Sequence, residues 1–73
     1  MKIYRVEVGE THGVRPGNLV GAIANEGGLS SAQIGAIRIH SDHSTVQLPE
    51  GLSTRQLHQL RTARVCQRAL GLE

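Results

Sequence analysis

Three short segments of the chain alternate polar and apolar residues, and this pattern constrains the fold more than any other feature. They are residues 3–8, 34–40 and 44–48, and a period of two residues is typical of a strand with one buried face. The residues that share the apolar faces are Tyr4, Val6, Val8, Ile37, Ile39, Val46 and Leu48. Each strand is therefore expected to cover a core with one side and to leave its other side polar.

Two helices are predicted, one between the first two strands and one after the third. Pro16 suits a first helical position, where its missing N–H has no partner, and Gly27-Gly28 predicts the end of that helix about three turns later. Ser53 is a helix N-cap, and Gln56 completes a capping box for a second helix that runs to about Thr62. Both helices are short and must pack on the sheet to be stable.

A fourth strand is predicted over residues 69–73, and Val65 is expected to enter the core from the loop before it. The order of elements is then β-α-β-β-α-β. This order indicates an α+β, ferredoxin-like or RRM-like fold, in which a four-stranded antiparallel sheet carries both helices on one face. A chain of 73 residues has room for one core, so residues 1–73 are expected to form a single domain.

The face of the sheet away from the helices is predicted to be bare and polar. Its residues are Arg5, Glu7, Arg38, His40, Thr45 and Gln47. RNA-recognition modules stack bases on aromatic side chains of this surface, but the only aromatic residue here, Tyr4, faces the core. Arginine planes or contacts with an RNA backbone would have to replace that stacking. The same fold also supports enzymes and protein-binding modules.

The charges are distributed unevenly along the chain. Residues 1–50 carry four cations and five carboxylates, whereas residues 51–73 carry four arginines and one glutamate. Arginine supplies seven of the eight cations, and its planar guanidinium binds phosphate through two hydrogen bonds and stacks on bases. The charge pattern favours a polyanionic partner.

The cysteine and histidine residues narrow the function further. The single cysteine, Cys66, permits no internal disulfide, and no apolar run approaches the roughly 18 residues of a membrane span. A cytoplasmic location is expected, with Cys66 filling the core. His40 and His43 are spaced like metal ligands but no cysteine pair accompanies them, so no metal site is predicted. Simple exposure and proximity to RNA phosphates stay open for both histidines.

One glycine lies in the middle of the first predicted helix. Gly21 costs helix stability of up to about 1 kcal/mol relative to alanine. We expect it to permit a close approach of helix and sheet.

A resemblance to a known family extends over nearly the whole chain. It is carried by residues 4–9 (YRVEVG), 13–23 (GVRPGNLVGAI), 34–39 (IGAIRI) and 43–46 (HSTV). These runs resemble the auxiliary C-terminal RNA-binding domain of bacterial DEAD-box RNA helicases, the RRM-like, DbpA-type domain. Within that group the chain is most similar to cold-shock, ribosome-assembly helicases of the DeaD/CsdA type. The DbpA type itself selects a structured ribosomal RNA hairpin and has an aromatic residue where this chain has Thr45.

The resemblance implies that the chain is one part of a larger ATP-dependent RNA helicase and is not an enzyme by itself. The chain has no GxxxxGK[ST] element, so the helicase core would hold ATP and Mg²⁺ and this chain would need no cofactor. Its implied role is to hold structured RNA, ribosomal RNA or mRNA, near the motor in cis. The implied processes are ribosome assembly, cold-shock RNA remodelling and RNA decay. Any homodimer would form through other parts of the parent protein.

The residues predicted to bind RNA follow from periodicity and charge. They are Arg5, Arg38 and Thr45 on the bare sheet face, with Arg64 and Arg68 on the loop before the fourth strand. No catalytic, cofactor-binding or metal-binding residue is predicted. Two alternatives stay open. One is a protein-interaction or dimerisation module without direct RNA binding, and the other is a small enzyme of the acylphosphatase kind that uses Arg15 and Asn18.

Overall fold

The computed structural model describes all 73 residues, and it combines two helices with antiparallel strands, as the sequence predicts. Its elements are β1 (Lys2–Val6), a 3-10 turn (Glu10–His12), α1 (Pro16–Gly27), a second 3-10 turn (Ser31–Gln33), β2 (Ile37–Ile39), β3 (Ser44–Leu48), α2 (Thr54–Thr62), β4 (Arg64–Val65) and β5 (Arg68–Ala69). Strands β1, β3 and β2 form an antiparallel sheet in that order, and β4 and β5 form a separate hairpin. No helix is long and apolar enough to cross a membrane.

One face of the three-stranded sheet covers the hydrophobic core, and the predicted alternation is confirmed. The fully buried members of the core are Val6, Val8, Leu19, Ile23, Val46, Leu48, Leu60, Leu70 and Leu72. Tyr4 is also buried, and Ile37 and Ile39 pack on the core while remaining partly exposed. Burial of aliphatic side chains, about 1.5 to 3 kcal/mol each, therefore orients all three strands.

A buried hydroxyl lies at the start of β3. Ser44 is fully buried, and its Oγ donates a hydrogen bond of 2.6 Å to the carbonyl oxygen of Val8. Gly9 follows directly, and a Cβ built on it would lie 2.5 Å from the His43 nitrogen and 2.6 Å from the His40 oxygen. The chain after β1 therefore packs against the β2–β3 turn at a distance that only glycine allows.

The structure shows a three-stranded sheet and a two-stranded hairpin in place of the predicted four-stranded sheet, and the last residues do not form a regular strand. The backbone of Glu73 exchanges two hydrogen bonds of 3.0 Å with Arg5, and Glu7 donates one of 2.7 Å to the Leu70 carbonyl. Between these bonds two residues, Gly71 and Leu72, lie opposite one residue of β1, which is the count of a β-bulge. Gly71 has a φ of 56°, in the left-handed region. The bulge interrupts the ladder along the β1 edge.

The two helices are joined at their ends by one side chain. Ser53 Oγ accepts a hydrogen bond of 3.1 Å from the Gln56 backbone nitrogen, and Gln56 Oε1 accepts one of 3.0 Å from the Ser53 nitrogen. This confirms the predicted capping box. Gln56 Nε2 also donates to the carbonyl of Gly27, the last residue of α1, at 3.0 Å. The start of α2 thus satisfies an end carbonyl of α1.

Two predictions about single residues are wrong. Cys66 is exposed at the tip of the β4–β5 hairpin and does not fill the core. Gly21 is exposed, and a Cβ built there meets nothing within 4 Å, so it permits no close approach to the sheet. Val65 is buried as predicted, but from β4 and not from a loop.

Replacing the N-cap should weaken α2 measurably. Ser53→Ala removes the acceptor for the Gln56 N–H, and we expect it to lower the free energy of unfolding by about 1 kcal/mol in urea titrations. Ser31→Ala is the matched control, because the Ser31 hydroxyl makes no hydrogen bond. RNA affinity well below the unfolding temperature should hardly change, and a large loss in folded Ser53→Ala protein would place RNA at the start of α2.

Gly21 offers a substitution that should stabilise the protein. Gly21→Ala fills open space on α1 and reduces the entropy of the unfolded chain, so we expect roughly 0.5 to 1 kcal/mol of added stability by thermal unfolding. Gly9→Ala is the contrast, since its Cβ would overlap backbone atoms of the β2–β3 turn, and it should destabilise the fold. If the melting temperature of Gly21→Ala does not rise, the expectation that a Cβ at position 21 stabilises α1 is wrong.

Candidate nucleic-acid interface

Three of the predicted RNA-binding residues form one row across the outer face of the sheet. In the observed register Arg5 of β1 and Arg38 of β2 both pair with Thr45 of β3. Directly paired residues have Cβ atoms about 4.5 to 5.5 Å apart and project to the same face. Both arginines are exposed and Thr45 is partly exposed. The sheet therefore presents two guanidinium groups on either side of a hydroxyl.

The two arginines of this row differ in what they contact. Arg5 Nε lies 3.2 Å from Glu7 Oε1, and both side chains are nearly half exposed, at 48% and 42%. An ion pair with this exposure is worth about 0 to 1 kcal/mol, so a phosphate can replace the carboxylate. The Arg38 side chain makes neither a hydrogen bond nor an ion pair with another residue. Its five N–H donors are free for a ligand.

A shallow depression lies next to Arg38 on the same face. It is lined by Ile3, Ala36, Arg38, Thr45, Val46 and Gln47. Its volume of about 50 Å³ is far below the roughly 300 to 1,000 Å³ of sites that enclose small molecules. Ile3 is 63% exposed, which is unusual for a large apolar side chain in this protein. The two-residue period could have found it, since Ile3 shares its face with Arg5 and Glu7, but the sequence prediction for that face includes only polar residues.

Arg64 and Arg68 are not brought into the row. They lie on β4 and β5, in the hairpin that forms its own small sheet, and not on a loop as predicted. Arg64 Nη2 donates to the Gln67 carbonyl at 2.8 Å, whereas the exposed Arg68 side chain has no hydrogen-bond partner. Cys66 and Gln67 form the turn with φ of 53° and 67°, the signs found in a type I′ turn. The β4–β5 hairpin therefore carries a second pair of exposed arginines, separate from the row on the sheet.

The β2–β3 turn holds two stacked imidazole rings. The ring centroids of His40 and His43 lie 4.6 Å apart at an angle of 19°. His43 Nδ1 lies 2.7 Å from Asp42 Oδ1, and this hydrogen bond lowers the pKa of the Asp42 carboxyl below its ordinary value. His12 Nδ1 accepts from the Gly9 nitrogen at 2.9 Å, well along the chain from the pair. His12, His40 and His43 therefore lie at turns of the chain. No group of three ligands is positioned to hold a metal ion.

The residues considered for a small phosphate-binding enzyme serve the start of α1. Asn18 Oδ1 accepts a hydrogen bond of 3.0 Å from the Arg15 nitrogen and so caps its own helix. The Arg15 side chain is exposed and makes no hydrogen bond. This arrangement is helix capping.

Comparison with known proteins identifies the relatives of this chain. The family model for the DbpA RNA binding domain matches residues 3–73. The chain is 40% identical over all 73 residues to the ATP-dependent RNA helicase DeaD of Escherichia coli K12, and 46% identical over 89% of its length to that of Haemophilus influenzae. It is 50% identical over 85% of its length to the DeaD helicase of Mycobacterium tuberculosis.

The chain spans only a small part of the length of these relatives. It covers only 11% to 12% of each of the three DeaD helicases, which is the relation expected of an auxiliary domain. The resemblance read from the sequence motifs is thereby confirmed. The chain belongs to the DbpA RNA-binding domain family and is an RNA-binding domain homologous to a segment of the DeaD ATP-dependent RNA helicases.

Proposed function

We propose that this domain binds structured RNA through the outer face of β1, β3 and β2 and holds a helicase motor on that RNA. The observation that carries the proposal is the row Arg5–Thr45–Arg38, which places two guanidinium groups on one uncovered face. Guanidinium groups match phosphate oxygens through paired hydrogen bonds. Thr45 lies between them, where its hydroxyl can donate to or accept from a ribose 2′-OH.

Electrostatic attraction is the main source of affinity in this proposal. Base stacking on aromatic side chains contributes about 1 to 3 kcal/mol per base in other modules, and the only phenylalanine, tyrosine or tryptophan ring here, that of Tyr4, is buried. Arginine–phosphate contacts release condensed counterions and give binding that weakens as salt is added. Arg64 and Arg68, on the hairpin, extend these contacts to a second stretch of backbone.

The C-terminal residues support an RRM-like arrangement. The backbone bonds of Glu73 and Leu70 to β1 run along the edge where a fourth strand would pair. With this segment counted as an irregular fourth strand, the element order becomes the β-α-β-β-α-β of the ferredoxin-like fold. Residues 1–73 then act as one domain, whose outer face is the RNA surface.

The parent protein supplies the chemistry that this domain lacks. By analogy with its DeaD relatives, the motor in cis holds ATP and Mg²⁺, and the domain raises the effective concentration of the motor at a nearby duplex. Ribosomal RNA and mRNA in the cytoplasm are the proposed targets, in ribosome assembly, cold-shock remodelling and RNA decay. Any homodimer forms through other parts of the parent.

Binding should depend steeply on salt. A fluorescein-labelled RNA hairpin titrated at several KCl concentrations should bind less tightly as salt rises. Arg38→Ala, Arg64→Ala and Arg68→Ala should each weaken binding on different RNA sequences and flatten the slope of log Kd against log salt by about one unit or less. Fluorescence anisotropy measures both quantities.

Arg15→Ala is the matched control for these substitutions, since Arg15 lies at the entrance to α1 and away from the outer face. We expect it to change the affinity little. Salt-insensitive binding, or a larger loss in Arg15→Ala than in Arg38→Ala, would rule out the sheet face. Backbone amide NMR shifts confined to the helices, seen with the same hairpin, would place the RNA on the helices, and no shift at all would favour a protein-interaction module.

A further inference from the structure

We propose that the depression beside Arg38 receives one unpaired nucleobase and prefers bases that carry keto groups, guanine or uracil. This inference rests on the proposed function, since it adds a base subsite to the same RNA-binding face. The depression is bounded by the apolar side chains of Ile3 and Ala36 and by the polar side chains of Gln47, Thr45 and Arg38. A flat ring with a polar edge is the ligand that this mixture fits.

The apolar part of the depression can replace the missing aromatic platform. Ile3 is one of only two large apolar side chains that are strongly exposed. Gln47 of β3 pairs with Ile3 on one side, and its backbone exchanges hydrogen bonds with Gly35 and Ala36 on the other. Ile3, Gln47 and Ala36 therefore form a second row beside Arg5–Thr45–Arg38. A base that covers Ile3 would remove its apolar surface from water.

The orientation of the Gln47 amide sets the preference for a base. Gln47 Oε1 accepts a hydrogen bond of 3.3 Å from the Ala36 backbone nitrogen. Because a backbone N–H can only donate, the amide oxygen is the atom turned toward it, and the Nε2 group keeps two free donors. The Gln47 amide thus offers a ligand in the depression two free donors, whereas its oxygen already accepts from Ala36.

The neighbouring arginine adds more donors. The Arg38 side chain has five N–H donors and no hydrogen-bond or ion-pair partner in the structure. Its planar guanidinium matches paired acceptors such as the O6 and N7 atoms of guanine. Thr45 supplies one hydroxyl, which can donate or accept. A lining in which donors predominate favours the carbonyl oxygens of guanine and uracil. The discriminating edge is the one that carries O6 in guanine or O4 in uracil, because adenine and cytosine have an NH₂ group at the same position, whose hydrogens would face other hydrogens.

The first test uses mononucleotides as probes and backbone amide NMR shifts as the readout. UMP, GMP, CMP, AMP and base-free ribose 5-phosphate are titrated separately into ¹⁵N-labelled protein. We expect shifts in residues 35–38 and 45–47, with UMP and GMP binding several-fold to roughly tenfold more tightly than CMP and AMP. Shifts from ribose 5-phosphate equal to those from UMP would overturn the inference, because the depression would then recognise phosphate alone.

The second test reverses the chemistry of one side chain. Gln47→Glu keeps an oxygen for the Ala36 N–H and replaces the free NH₂ with an acceptor, so the ratio of UMP to CMP affinity should fall by about tenfold or invert. Gln59→Glu is the matched control, because it adds the same charge on the exposed face of α2. Ile3→Ala should weaken all four mononucleotides, with no effect on ribose 5-phosphate. An unchanged UMP to CMP ratio in Gln47→Glu would contradict the subsite.

Failure of this inference can be told apart from failure of the proposed function. If the RNA hairpin still binds with a steep salt dependence and an Arg38→Ala defect, but mononucleotides show no base preference, the face binds RNA backbone without a base subsite. If hairpin binding is insensitive to salt and to Arg38→Ala, the RNA surface itself is elsewhere. The proposed function then fails, even if mononucleotides show a base preference at the depression.

Discussion

The register of β3 is the constraint on which the proposed RNA-binding face depends. β3 is the central strand, and the row Arg5–Thr45–Arg38 exists only because Thr45 lies opposite both arginines. A slip of one residue would turn Thr45 and Gln47 into the core. The bond from Ser44 Oγ to the Val8 carbonyl opposes such a slip, because a buried hydroxyl without a partner costs about 1 to 3 kcal/mol. This buried polar contact adds to the burial of Val46 and Leu48 in fixing which side chains reach the outer face.

The turns at one end of the sheet support the same register. After β1, Glu10 and Thr11 donate backbone hydrogen bonds of 2.8 and 2.9 Å to the carbonyls of His40 and Ser41. The glycine between β1 and this turn has no room for a side chain, so the segment can lie directly against the β2–β3 turn. The distance between the ends of β1 and β2 is therefore set by backbone contacts. The backbone that carries the arginines of the outer row is held by these contacts. Binding a phosphate therefore costs less backbone entropy.

Much of this architecture could be predicted from sequence, since it follows from local patterns. The alternation in residues 44–48 and the capping box at Ser53 need no knowledge of distant residues. The errors concern features that depend on tertiary context. The bulge at Gly71 depends on where the last residues meet β1, and the exposure of Cys66 depends on a two-residue turn with positive φ at non-glycine residues, which sequence rules disfavour. The capping of α1 by Gln56, 29 positions away from Gly27, has no local signal.

The composition of the outer face suits a tether better than a sequence-specific reader. Phosphate contacts carry no sequence information, so the arginines would hold many RNAs, and a single base subsite would add only modest discrimination. Such broad binding with modest discrimination suits a domain that only has to hold a motor near RNA. Joined to a motor, even moderate affinity raises the local concentration of the motor greatly, whereas very tight binding would slow its release from a remodelled RNA. The absence of exposed phenylalanine, tyrosine or tryptophan rings, which weakens binding to single strands, is therefore consistent with repeated capture and release of different structured targets.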